Sequence, residues 1–210
     1  MRELSRAIGM TSVLVYAIAL SVRPALATQD RPSRRDLYVC EGCEAIYERS
    51  FDDLSWRTTI PPEGEPGEPL VLAGRVFQSD GKKPAAGIII YAYHTNAKGV
   101  YPTRGDERGW ERRHGYLRGW VETDAEGRYQ FTTIRPALYP SRSAPAHIHL
   151  VIKEPGRQEY WIDQVVFEDD PQVDDRYRDE RRGRGGSGII RLTMDESGVW
   201  QGRRDIVLEP

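Results

Sequence analysis

From Leu70 onward, short runs of β-branched and aromatic residues alternate with turn sequences. The runs are LVLAGRVF, GIIIYAYHTN, GWVETD, RYQFTTI, HIHLVIKE, YWIDQVVFED, GIIRLTM and RRDIVL. Turns such as SDG at 79–81, DAEG at 124–127 and DESG at 195–198 place a glycine where a tight reversal needs a positive φ angle. Apolar and polar positions alternate within several runs, so one face of each sheet is expected to be solvated. The pattern predicts an all-β fold, an immunoglobulin-like antiparallel β-sandwich.

Two long insertions interrupt this rhythm. Lys98 to Arg118 is rich in glycine, arginine and aromatic residues, and Pro171 to Gly188 is charged and glycine-rich. A charged run has little apolar surface with which to order itself, so we expect the second insertion to be a solvated, mobile excursion.

The chain ahead of the sandwich differs in composition. Residues 28–68 contain an Arg/Asp-rich start, a short amphipathic turn around 45–51 and the run PPEGEPGEP. We interpret them as an N-terminal extension and linker, and residues 69–210 as the single sandwich domain. Such an extension can contribute to the contacts of a homodimer.

The N-terminus predicts export. Arg2 and Arg6 precede the apolar stretch Met10 to Val22, and the small-residue run Ala25-Leu26-Ala27 follows. This order is typical of a signal peptide, residues 1–27, cleaved after Ala27. An uncleaved membrane anchor is the alternative, but the stretch is shorter than the roughly 20 residues that a spanning helix needs. We expect a periplasmic or secreted protein with no membrane attachment after cleavage.

Cysteine usage agrees with an oxidising compartment. The only cysteines, Cys40 and Cys43, form a C-x-x-C pair, and we expect a small disulfide. No βαβ pattern surrounds the pair, which disfavours a thioredoxin-like redox motif, and a zinc site would need further ligands. The formal net charge of -2, with both signs abundant, gives no reason to expect nucleic acid as a partner.

The segment TTIRPALYPSRSAPAHIHLVI carries metal-binding potential. His147 and His149 are separated by one residue on a predicted strand, so both side chains point to the same face and can reach one metal. Tyr139 precedes them in the loop that leaves the previous strand. A short return of that loop would bring its phenol toward the same face.

This segment resembles the intradiol ring-cleavage dioxygenases, in which a Tyr-Pro is followed by P-A-H-I-H. The resemblance continues upstream in YAYHTNAKGVY and LRGWVETDAEGRYQFTTIRP, and downstream in DQVVFEDDP. It covers about Leu70 to Pro171, roughly half the chain, with the elements in the same order and at similar spacing.

The resemblance implies a non-haem ferric iron, Fe(3+), held by Tyr101, Tyr139, His147 and His149. Phenolate is a hard anionic donor that suits a trivalent cation. The implied substrates are a small aromatic diol of the catechol type and dioxygen, and the implied product is a muconate-type diacid. Tyr139 would leave the iron and take up a substrate proton, and Gln164 would support the site from beside it.

One departure from the family pattern concerns charge. The family usually has arginine directly before P-A-H-I-H, and this chain has Ala144 there. Loss of a preorganised positive charge can raise a reaction barrier by several kcal/mol. Three outcomes are open: Arg142 or Arg118 substitutes for it, the substrate differs, or catalysis is slow.

Other candidate residues have two interpretations each. His94, Arg118 and Trp120 are candidate substrate contacts, although His94 could equally be a hydrogen-bonded strand residue. His114 is expected to be exposed. Trp110, Tyr116 and Trp120 could line an aromatic slot or pack beneath the first insertion.

Three functions remain in view. An iron-dependent dioxygenase of aromatic catabolism is the first. A non-catalytic extracellular binding module, or an inactive family member signalled by Ala144, is the second. A structural subunit that pairs with an active partner is the third, and iron retention by the isolated chain separates them.

Overall fold

The computed structural model describes residues 37–210 of the chain. The predicted signal peptide and the start of the N-terminal extension lie outside the described residues. Among those described, no helix is long and apolar enough to cross a membrane.

The described chain is built from two β-sheets. The first sheet has the strand order β1 (Arg57–Thr59), β5 (Arg128–Ile134), β2 (Pro69–Phe77), β10 (Trp200–Arg203) and β9 (Leu192–Met194), with β11 (Ile206–Val207) also pairing with β2. The second has the order β4 (Arg118–Glu122), β3 (Ile89–His94), β6 (His147–Lys153), β7 (Tyr160–Phe167) and β8 (Ile189–Ile190). A 3-10 helix (Cys43–Glu48), α1 (Glu111–His114) and α2 (Asp175–Asp179) lie in the connections.

The two sheets pack face to face around one main core. Alternate residues of β2, Leu70 and Leu72, are fully buried and share that core with Ile90 of β3 and Leu150 of β6. This is the packing that period-two alternation predicts for a sandwich, so the predicted all-β sandwich fold is confirmed.

The sheets are not purely antiparallel. β1 runs parallel to β5, β10 and β11 run parallel to β2, and β8 runs parallel to β7. These strands are two to four residues long, and their pairing direction has no local sequence signal. The central pairs, such as β2 with β5 and β3 with β6, are antiparallel as expected.

The N-terminal extension is built into the sandwich. β1 falls within the segment that the sequence assigned to the extension and linker, yet it forms an edge of the first sheet. Leu37 and Ile60 join the main core. Ala45 and Ile46 of the 3-10 helix are fully buried against Tyr91 in a second cluster that covers the second sheet.

The second insertion is more ordered than expected. Asp174 caps α2 by accepting a hydrogen bond from Tyr177 N at 2.8 Å. The Arg181 side chain is only 14 % exposed, and Arg184 is buried and lies 4.1 Å from the centroid of the Trp161 ring. Its arginines therefore pack onto β7, where a purely solvated excursion was expected.

Candidate active site

Four side chains bring their donor atoms into a closed ring. Tyr101 Oη lies 2.8 Å from Tyr139 Oη, which lies 3.1 Å from His147 Nε2. His147 Nε2 lies 3.0 Å from His149 Nε2, which lies 3.0 Å from Tyr101 Oη. The structure thus brings together the four side chains that the sequence indicated as metal ligands.

Strand β6 fixes the two imidazoles. His147 Nδ1 donates to the carbonyl oxygen of Pro145 at 2.7 Å, which leaves Nε2 as the nitrogen with a free lone pair. Asp170, which is buried, accepts a hydrogen bond from Ala146 N at 2.8 Å and holds the entry to the strand. His149 follows two residues later on the same face, as the alternation of a strand requires.

The two phenols come from loops that are tied to each other. Thr95 Oγ1 donates to Ala137 O at 2.7 Å, and Ala137 N donates to Asn96 O at 3.1 Å. Gly99 has φ of 74°, and a Cβ atom there would overlap the carbonyl oxygen of Leu138. Only glycine permits this crossing, which places Tyr101 beside Tyr139.

Burial sets the protonation of the ring. Desolvation lowers the pKa of His147, although its bond to Pro145 opposes the shift, and desolvation lowers the pKa of His149 well below the ordinary value. Burial and the hydrogen bond with Tyr139 raise the pKa of Tyr101 above its ordinary value. At neutral pH both imidazoles are therefore neutral, and a phenolate at Tyr101 requires a cation beside it.

The spacing and the donor chemistry fit a single metal ion. Two donors that stand at right angles on one metal, with bonds of about 2.0–2.1 Å, are about 2.9 Å apart. The four edges of the ring, 2.8 to 3.1 Å, agree with that separation. Across residues 37–210 no group of three or more His, Cys, Asp and Glu side chains is arranged to hold a metal, so the phenols are essential to this donor set.

A β-bulge places Gln164 beside the ring. Ile148 pairs with Val165 and Leu150 pairs with Ile162, so the single residue His149 opposes both Asp163 and Gln164. Asp163 is buried, where it accepts from Gly183 N at 2.8 Å, whereas Gln164 stays half-buried on the side of His149.

A cavity of about 290 Å³ opens next to His149. Its lining residues are Val39, Cys40, Glu41, Gly42, Cys43, Tyr93, His149, Leu150, Val151, Trp161, Ile162 and Gln164. A smaller cavity of about 180 Å³ adjoins Tyr101 and shares Glu41 and Tyr93 with the first. A cavity of about 540 Å³ on the first sheet shares no lining residue with either, so the two cavities at the ring are the relevant ones.

Known proteins match more than half of this chain. The family model described as Dioxygenase matches residues 49–197. Catechol 1,2-dioxygenase 1 of Acinetobacter lwoffii is 33 % identical over 134 residues, covering 56 % of this chain and 42 % of the relative. The protocatechuate 3,4-dioxygenase beta chain of Burkholderia cepacia is 35 % identical over 115 residues, covering 51 % of this chain and 48 % of the relative. The chain belongs to the intradiol ring-cleavage dioxygenase family.

A solved dioxygenase domain has a similar fold. The dioxygenase domain of a dioxygenase carbohydrate-binding protein fusion from Streptomyces sp. SirexAA-E aligns with a TM-score of 0.57 at 26 % identity, over 75 % of this chain and 90 % of that one. The two curated relatives, by contrast, are matched over less than half of their length.

Neither of the arginines expected to replace the family arginine lines the two cavities at the ring. Arg118 forms an ion pair with Glu48 and approaches Glu111 at 3.6 Å, in a separate surface cavity. Arg142 is exposed in a turn, with φ of 53°. The guanidinium that the structure places beside Gln164 is that of Arg181, whose Nη2 donates to Gln164 O at 2.9 Å.

Two other predicted substrate contacts are enclosed by protein. His94 is fully buried, and its nitrogens bond to Thr95 O and Thr133 Oγ1, both at 2.7 Å. Trp120 is 9 % exposed and donates from Nε1 to Ile46 O at 2.9 Å. Neither side chain lines the cavities at the ring.

An aromatic stack beside the ring was missed from the sequence. The Tyr93 ring stacks on His149 at 4.4 Å between centroids, and His114 stacks on the other face of Tyr93 at 3.8 Å. Trp110 continues the stack on His114 at 5.3 Å. His114, expected to be exposed, is buried and bonds through Nδ1 to Tyr91 Oη at 2.8 Å. Tyr93 pairs with His149 in the β3–β6 register, a signal that exists only once the strand pairing is known.

Proposed function

We propose that this chain is a non-haem ferric iron dioxygenase that cleaves catechol-type rings between the two hydroxyl-bearing carbons. The closed ring of two phenol oxygens and two imidazole nitrogens carries the proposal. Family membership supports it. In this proposal Tyr101, Tyr139, His147 and His149 hold the iron, and the products are muconate-type diacids.

A ferric ion held by these four donors would act as a Lewis acid and as an electron acceptor toward the electron-rich aromatic substrate. The chain supplies the rest. Tyr139 is the proposed proton acceptor, since its Oη contacts both Tyr101 and His147 and can exchange a proton within the ring. Gln164 would orient the substrate from the bulge.

We assign the positive charge near the site to Arg181 in place of Arg142 and Arg118. Its Nη1 donates to Tyr177 Oη at 2.6 Å, and Gln164 Nε2 donates to the same hydroxyl at 3.3 Å. Asp163 lies 3.4 Å from its Nε. This support holds a guanidinium on the Gln164 side of the ring, where a developing negative charge would be stabilised.

We also propose that the protein is exported, with cleavage after Ala27. The disulfide between Cys40 and Cys43, whose Cα atoms are 5.7 Å apart, supports an oxidising compartment.

Iron content, colour and product identity test the proposed activity. The mature protein from iron-replete expression is expected to bind one iron, to show a tyrosinate-to-iron charge-transfer band and to consume dioxygen with catechol. In Tyr139→Phe the band should shift and turnover should fall by about 100-fold or more, because the proton acceptor is lost. The fold should survive, since Tyr139 is only partly buried.

Tyr47→Phe is the matched control, because Tyr47 bonds to Glu159 on the surface. It should change neither the band nor turnover. A colourless, iron-free protein would favour the non-catalytic binding module, and unchanged turnover in Tyr139→Phe would refute the role of Tyr139.

A further inference from the structure

The segment Val39–Cys43, here named the disulfide loop, forms one wall of the cavity beside His149. It faces Tyr93, Trp161 and Gln164 across that cavity. The loop precedes residues 49–197, which match the family model, so this wall is a feature that the family match does not include.

The loop is held rigidly. The Cys40–Cys43 disulfide closes it, and Cys43 is 2 % exposed. Gly42 has φ of 87°, and a Cβ atom at this position would come within 3.0 Å of His114 Nε2 and 3.1 Å of the Trp110 ring. The loop therefore lies directly against the aromatic stack and has no room to move toward it.

The stack connects the loop to the ring of donors. His114, which Gly42 faces, stacks on Tyr93, and Tyr93 stacks on His149. Val39 O also accepts a hydrogen bond from Trp161 Nε1 at 3.3 Å, so the loop is fastened on both sides of the cavity. The distance between the disulfide loop and the four donor atoms is thus set by the packed side chains of His114 and Tyr93.

The cavity that results is small. Its volume of about 290 Å³ is just below the range of about 300–1,000 Å³ for small-molecule sites. Glu41 is the charged residue of its lining, and the carboxylate is paired with Arg113. Size, more than net charge, therefore limits what can enter.

We propose that the disulfide loop is the specificity element of this site and restricts it to single-ring catechols without bulky ring substituents. The inference rests on the proposed function. A substituent that points away from the ring of donors would meet Gly42 and the disulfide, which the Cys40–Cys43 closure and the hydrogen bond to Val39 O hold in place.

Two variants and one control test the proposal. Cys40→Ser/Cys43→Ser removes the closure, and Gly42→Ala adds a methyl group that must push the loop away from His114. Gly198→Ala is the control, because Gly198 has φ of 77° and no atom within 4 Å of an added Cβ. It reproduces the backbone strain without displacing the loop.

The readouts are anaerobic binding, followed by the shift of the charge-transfer band, and kcat/KM from oxygen uptake, each for catechol and 4-tert-butylcatechol. Both loop variants are expected to raise the value for 4-tert-butylcatechol relative to the value for catechol at least tenfold, in binding affinity and in kcat/KM alike. Gly198→Ala should keep the wild-type ratio.

The proposal is overturned if the ratio is unchanged in Gly42→Ala, or if it rises equally in Gly198→Ala. If the double cysteine variant does not fold, Gly42→Ala alone decides. Failure of the proposed function gives a different result, because the wild-type protein itself would then show neither an iron-dependent band nor oxygen uptake with catechol. The inference would then be wrong as well.

Discussion

Hydrogen-bond partners divide the histidines of this chain by role. His94, His114 and His147 are buried and His149 is half-buried, yet only His147 and His149 direct a nitrogen into the ring of donors. His94 uses both nitrogens in hydrogen bonds to protein groups, and His114 fills the aromatic stack. A histidine in this fold is therefore defined by its partners, because burial alone does not separate His147 from His94.

His94 makes stability depend on pH. Burial lowers its pKa from 6.5 to about 4, so the folded state binds fewer protons than the unfolded state between those values. Stability should therefore be fully present above about pH 6.5 and fall as the pH drops toward 4. Between pH 7 and pH 4.5 the wild type loses unfolding free energy through His94, and His94→Gln does not. We therefore expect the loss over this range to be about 2–3 kcal/mol smaller in His94→Gln than in the wild type.

Urea unfolding at the two pH values measures this difference. The lowered pKa of His114, about 4, acts in the same direction and remains in both proteins, so it cancels in the comparison. Equal losses in wild type and variant would show that His94 is not the residue responsible.

The sequence predicts some of these residue roles and not others. The spacing of His147 and His149 on one strand was sufficient to pair them, because alternation along a strand is local. Tyr101 was found only through family resemblance, whereas Tyr139 was also indicated by its place in the short loop ahead of His147. The burial of His94 depends on Thr133 of the opposite sheet and could not be predicted locally.

At the level of elements, the bulge in β7 has a signature in the sequence. Tyr160 and Ile162 enter the main core, and so do Val165 and Phe167. The buried positions thus change from even to odd numbers at Asp163 and Gln164, where an extra residue is inserted. The same change of phase is visible in the apolar positions of YWIDQVVF, so the bulge is a feature that alternation alone can predict.

Glu48 joins three elements. Its carboxylate, at the end of the 3-10 helix, accepts from Trp110 N at 2.7 Å ahead of α1 and pairs with Arg118 of β4. The two paired side chains are only 13 % and 24 % exposed. We expect Glu48→Gln to lower the free energy of unfolding by about 1–3 kcal/mol, because Arg118 then loses the nearer of its two partly buried counter-charges and keeps only Glu111 at 3.6 Å.

Thermal or urea unfolding checks this loss. Glu180→Gln is the control, since the Arg176–Glu180 pair is exposed and should contribute nothing measurable. Equal stability of Glu48→Gln and the wild type would mean that the contact does not hold the three elements together.

For the whole molecule, the sequence predicted the sandwich and most of its strands but missed β1 and the start of β10. Both are short and lie outside the long apolar runs. Their positions are decided by the strands that they join, since β1 borders β5 and β10 borders β2. Tertiary pairing of this kind leaves no local pattern to detect.

The chain closes on itself at Gly74. A Cβ atom there would overlap the carbonyl oxygen of Arg204, which follows β10 and accepts a hydrogen bond from Tyr129 Oη at 2.8 Å. Gly74→Ala must therefore separate the C-terminal strands from β2. We expect it to cost at least about 3 kcal/mol of unfolding free energy, because the backbone cannot yield without breaking pairs.

Gly81→Ala provides the comparison, because Gly81 has φ of 67° and open space around it. It should cost only about 1–2 kcal/mol, from backbone strain alone. Denaturant unfolding of both variants would contradict the account of Gly74 if the two losses were equal.

The position of the disulfide loop ahead of β1 has a consequence for how this protein can diversify. Changing the length of that loop shifts the register of no strand pair within residues 37–210, because every strand described there begins after the loop. Homologues or laboratory grafts could therefore exchange the outer wall while leaving the donor atoms where they are. The range of substrates could then change in evolution without a change in the metal-binding donors.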